Sequence, residues 1–109
     1  MGKHEPQPMD RQLFRETAEG GKTCMVCFMA EWSQPSREMN DIIADITHKW
    51  YGSVPVYVVD PDEEPFIMSE YSVNAVPAFI IFRGGREAGR IVGLRTFEQM
   101  DRFIEENAV

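Results

Sequence analysis

Apolar and polar positions fall into blocks along the chain, and the period within each block predicts an element. In "MDRQLFRETAEGGK", Leu13, Phe14 and Ala18 form one helical stripe, with Asp10 placed to cap it and Gly20-Gly21 to stop it. "TCMVCFMA" is a continuous apolar run of strand length, the pattern of a strand buried on both faces. In "SQPSREMNDIIADITHKWYG", Met39, Ile42, Ile43, Ile46 and Trp50 recur at helical spacing. Ser33 is placed as the N-cap of this helix, Pro35 is tolerated in its first turn, and Gly52 ends the pattern.

"VPVYVVD" predicts a second central strand, and "PDEEPFIMSEYSV" a polar turn and a short helix around Phe66, Ile67 and Tyr71. "PAFIIF" and "EAGRIVG" are strands joined by a hairpin at Gly84-Gly85. In "TFEQMDRFIEENAV", Thr96 and Gln99 can form a capping box, and Phe97, Met100, Phe103 and Ile104 face inward. Residues 1–8 carry prolines and few apolar side chains, and read as a tail or a short edge strand before a domain spanning 9–109. The order α-β-α-β-α-β-β-α predicts an α/β fold: a mixed central sheet of four or five strands with helices on both faces.

Composition narrows the function more than the fold. The chain has 109 residues, 43 % apolar and 27 % charged, enough for one domain with one core. Its formal net charge of -7 argues against nucleic acid or an anionic membrane as partner, since both favour a basic face. No apolar run approaches the roughly 20 residues of a membrane span, and "MGKHEPQPMD" lacks the apolar segment of a secretory signal. The expectation is a cytoplasmic monomer with no cofactor and no metal.

The candidate chemistry lies in "FMAEWSQPSREM", where Trp32 precedes Ser33-Gln34-Pro35-Ser36 at the opening of a helix. Further on, "NAVPAFIIF" puts Val76-Pro77 at the start of a strand, and "GGREAGRIVG" ends on Gly93. These features in this order resemble the thioredoxin family from about Lys22 to Val109, although the family's first strand is weak or missing. The resemblance implies a thioredoxin-like fold with a cis Val76-Pro77 bond facing the motif. It also implies that Trp32, Gln34, Pro35, Val76, Pro77 and Gly93, with Val92 and Leu94, form a patch that binds an extended polypeptide.

Ser33 and Ser36 stand where the resemblance implies redox cysteines. A dithiol reductase needs an activated thiolate and a second thiol to resolve the mixed disulfide, and a hydroxyl supplies neither. The support positions differ as well: Cys27 matches a buried aspartate, Val58 its lysine partner, and Met29 a position often aromatic. Two readings follow. One is a redox-inactive domain that binds polypeptides. The other is a thioredoxin-type disulfide oxidoreductase whose cysteines were exchanged for serine, with thioredoxin reductase and disulfide-bearing proteins as partners.

Other candidates have plainer explanations. Cys24 and Cys27 have the spacing of a redox or metal motif, but in a strand such residues point to opposite faces with Cα atoms about 10 Å apart. A disulfide needs Cα atoms within about 7 Å, so both are expected to be buried small hydrophobes. Ser33 lacks the Gly-x-Ser-x-Gly setting of a hydrolytic nucleophile, and His48 sits late in a helix, where a cation is favourable. "DPDEEP", Asp60 to Pro65, lacks calcium-loop spacing and reads as a solvated turn.

Overall fold

Every side chain from Cys24 to Phe28 is buried, because this run is the middle strand of the sheet. The computed structural model describes residues 4–109. Its elements are β1 (Gln7–Pro8), α1 (Arg11–Thr17), β2 (Cys24–Phe28), α2 (Gln34–Glu38), α3 (Asn40–Trp50), β3 (Val56–Val59), α4 (Pro65–Glu70), β4 (Ala78–Arg83), β5 (Arg86–Val92) and α5 (Phe97–Ala108). The sheet has 5 strands in the order β1-β3-β2-β4-β5. β2 runs parallel to β3 and antiparallel to β4, so the sheet is mixed.

Alternation along β2 divides the core between the two faces of the sheet. Cys24, Val26 and Phe28 pack with Phe14 and Ala18 of the first helical segment and Ile67 of α4. Met25 and Cys27 pack with Ile43 and Ile46 of α3 and Met100 and Ile104 of α5. The cysteines therefore lie in different core layers, as strand geometry requires of positions i and i+3.

Local chemistry fixes the ends of the elements. The Asp10 carboxylate caps α1 by accepting from the Leu13 N–H at 2.8 Å. Thr96 and Gln99 form both bonds of a capping box at α5. Gly84 and Gly85 have φ of 62° and 80°, the positive pair that a tight two-residue hairpin turn demands.

Two features differ from or refine the pattern. The helix expected to run on from Ser33 is broken at Met39 into α2 and α3. There the Met39 N–H bonds the Ser36 carbonyl at 3.1 Å, a tightened i to i−3 turn, before Ile43 restarts the α ladder on the Met39 carbonyl at 2.8 Å. The apolar stripe passes through the break because Met39 is itself buried, with its sulfur 3.5 Å from the Arg95 N–H. At the other end, Gln7 and Pro8 form a 2-residue edge strand, parallel to β3 in the register Gln7↔Tyr57 and Pro8↔Val58. A proline is tolerated there because the strand lies at the sheet edge. Residues 1–3 of the expected tail lie outside the described residues.

Candidate functional site

Strand register decides which loops meet. Phe28 pairs with Val59 on one side and Ala78 on the other, and Ala78 pairs with Val92. The loop leaving β2, the loop leaving β3, the residues entering β4 and those leaving β5 therefore open at one end of the sheet. That end holds Trp32 to Ser36, Asp60 to Glu64, Val76-Pro77 and Val92-Gly93-Leu94.

Ser33 caps α2: its Oγ accepts from the Ser36 N–H at 3.3 Å, and Pro35 occupies the first turn. Both serines are buried, whereas Gln34 and Pro35 are exposed. The Val76–Pro77 peptide bond is cis. Val76 is half-buried and Pro77 is buried, and the Pro77 carbonyl accepts from the Gly93 N–H at 2.8 Å. Gly93 has φ of 94°, a conformation that side chains other than glycine's resist. Val92 and Leu94 on either side of it are exposed, as is Trp32 at 65 %. The arrangement is an apolar rim around a helix N-terminus, with a backbone turn held beside it.

One member of the cluster, Asp62, lies outside the sequence motif. The Trp32 Nε1–H donates to Asp62 Oδ2 at 2.8 Å, and the Asp62 N–H in turn bonds Asp60 Oδ1 at 2.8 Å. The "DPDEEP" turn is thus not merely solvated; it anchors the indole. Its Asp-Pro-Asp spelling signals a side-chain-closed turn, but nothing local to it names a tryptophan far back in the chain.

Burial governs the thiols. It pushes the Cys24 thiol up to about 12, with Lys22 opposing weakly, and it raises Cys27 further. Both are free cysteines that stay protonated and shielded in the folded chain. Cys27 and Val58, the positions implied to hold an acid and its amine partner, are register neighbours on β2 and β3. Neither group is there. Among the described residues, no cluster of His, Cys, Asp and Glu converges to hold a metal, and no helix is long and apolar enough to cross a membrane.

The family model for thioredoxin matches residues 6–106. This chain belongs to the thioredoxin family. Thioredoxin 1 of Nostoc sp. is 29 % identical over 101 residues, covering 93 % of this chain and 94 % of the relative. The thioredoxin of Rickettsia conorii is 31 % identical over 99 residues, covering 91 % and 94 %. The fold is likewise that of a solved thioredoxin, Mala s 13 from Malassezia sympodialis. It superposes with a TM-score of 0.88 at 22 % identity, over 100 % of this chain and 96 % of that one. Within the thioredoxin fold, this chain's motif is Ser33-Gln34-Pro35-Ser36.

Proposed function

We propose that this thioredoxin-family domain binds an extended polypeptide across Trp32, Gln34, Pro35, Val76, Pro77 and Gly93, and performs no dithiol exchange there. The observation that carries the reading is the motif itself: Ser33 and Ser36 are hydroxyls, and the Ser33 oxygen is engaged in capping α2. The only sulfurs of cysteine lie in separate core layers, out of reach of a substrate disulfide. The half-buried Val76 beside a cis proline supports strand-like pairing with a bound chain. The reading carries with it a cytoplasmic monomer whose partners are proteins.

Two measurements test it. In an insulin-reduction assay with dithiothreitol the native chain should give only the background rate; acceleration would overturn the redox-silent part. In amide NMR spectra, carboxymethylated insulin B chain should shift Trp32, Val76 and Gly93 saturably, and silence there would overturn the binding part. A second reading draws on the relatives' naming as thioredoxins: a disulfide reductase with serine exchanged for cysteine at 33 and 36. Cysteine codons at those positions of the gene would select it.

A further inference from the structure

Beside the motif the surface opens into a groove of about 960 Å³, between the start of α1, the end of β3 and the first turn of α2. Its walls include Leu13, Met29 and Val58, each half-buried and apolar. Its charged lining is mostly acidic. Asp10, Glu31, Asp60, Glu63 and Glu64 all border it, and none of them joins a salt bridge among the described residues. Arg37 is the cation on this lining, and its Nη1 is turned to the Glu31 carbonyl.

A second observation comes from Ser36, which also lines the groove. It is 2 % exposed, and its Oγ has no hydrogen-bond partner among the described residues. A buried hydroxyl without a partner is costly, and a ligand that donates to it relieves that cost. Apolar walls, carboxylates without an ion-pair partner and an unpartnered hydroxyl together fit an ammonium on an alkyl stem. The stem would lie on Leu13, Met29 and Val58. The ammonium has three donors, and Ser36 Oγ and the half-buried carboxylates of Asp60 and Glu64 are acceptors bordering the same groove.

We infer that this groove takes a lysine side chain of the polypeptide bound at the motif. The inference rests on the polypeptide-binding reading and adds the partner's chemistry to it. Continuity supports a side chain over a free amine: Glu31 and Ser36 border the groove and flank or belong to the stretch that carries Trp32.

Amide NMR spectra of the full chain, titrated with millimolar probes, test this. The probes are acetyl-Ala-Lys-Ala-amide, the same peptide with norleucine for lysine, and cadaverine. The lysine peptide should shift Ser36, Val58 and Glu64 saturably, and the norleucine peptide should bind about tenfold more weakly for lack of its charge-assisted bonds. Asp60→Asn combined with Glu64→Gln should weaken the lysine peptide by a similar factor while keeping the amide dispersion of a folded chain. Ser36→Ala should weaken it by about threefold. Equal binding of both peptides, or lysine binding unaffected by the double substitution, would overturn the inference. Shifts from cadaverine without shifts from the lysine peptide would assign the groove to a free amine and overturn it too. Trp32 and Val76 are read in the same spectra: shifts there with silence at Val58 would remove the groove but keep the polypeptide site, and silence at both removes both.

Discussion

The Gly93 N–H donates to the Pro77 carbonyl at 2.8 Å, so the turn after β5 and the cis-proline turn before β4 are held as one unit. The bond depends on Gly93 keeping a φ of 94°. A Cβ at this position would meet nothing closer than Arg95 Nη1 at 3.7 Å, so the obstacle to substitution is the backbone and not space. Gly93→Ala is expected to cost about 1–2 kcal/mol in urea denaturation. It should also broaden or move the amide signals of Val76 and Ala78.

The cap at Ser33 makes a separate prediction. Ser33→Ala removes the acceptor for the Ser36 N–H and should destabilise the domain by about 1 kcal/mol, whereas Ser33→Asp should retain most of the stability. Thermal and urea denaturation of the two variants side by side check it. Equal losses would mean that the Ser33 oxygen is not acting as a helix cap.

How far the sequence reveals this structure depends on how local each cause is. Asp10, Ser33, Thr96 with Gln99, and Gly84-Gly85 act within a few residues of themselves, and each is found where its spelling predicts. The buried run of β2 is equally legible, since a central strand has no solvent face to advertise. The break at Met39 is not, because the residue at the break also continues the apolar stripe. Nor is the pairing of Gln7 and Pro8 with β3, which follows from register across the sheet and not from strand propensity. In the candidate site, Trp32, Val76 and Gly93 were visible as a motif. The link from Trp32 to Asp62 was not, because it joins separate loops only after β2 and β3 have aligned.

That link can be tested directly. Asp62→Ala frees the Trp32 indole while leaving the core intact, so global stability should fall by less than about 1 kcal/mol. The indole N–H resonance of Trp32 should move, and carboxymethylated insulin B chain should bind several-fold more weakly. Unchanged binding would show that indole orientation is irrelevant to the site.

The thiols make a chemical prediction. With Cys24 pushed up to about 12 and Cys27 raised further, neither should react appreciably with Ellman's reagent in the folded chain at mildly alkaline pH. Both should react at once in guanidinium chloride. Rapid labelling without denaturant would show that β2 opens readily.

Acid stability should follow Asp101, which joins α5 to α3. Lys49 Nζ donates to it at 2.7 Å and Trp50 Nε1 at 2.9 Å. The Lys49 bond chiefly holds the carboxyl below its ordinary range, burial opposes it, and the Trp50 bond adds to the lowering. A carboxyl with a lower pKa folded than unfolded contributes stability above its unfolded pKa and loses it as pH falls through the folded one. The native chain should therefore lose stability below about pH 4 more steeply than Asp101→Asn, as urea midpoints near neutrality and at about pH 3 would show.

The central place of β2 has a consequence for how this protein is made. Its neighbours β3 and β4, and the helices α4 and α5 that complete the two core layers, all come later in the chain, so a ribosome releases Cys24 and Cys27 well before the elements that will enclose them. At ordinary elongation speeds that interval is on the order of several seconds. Oxidants and alkylating metabolites have their access to this domain then, at the nascent chain, and lose it once α5 has closed the layer over Cys27.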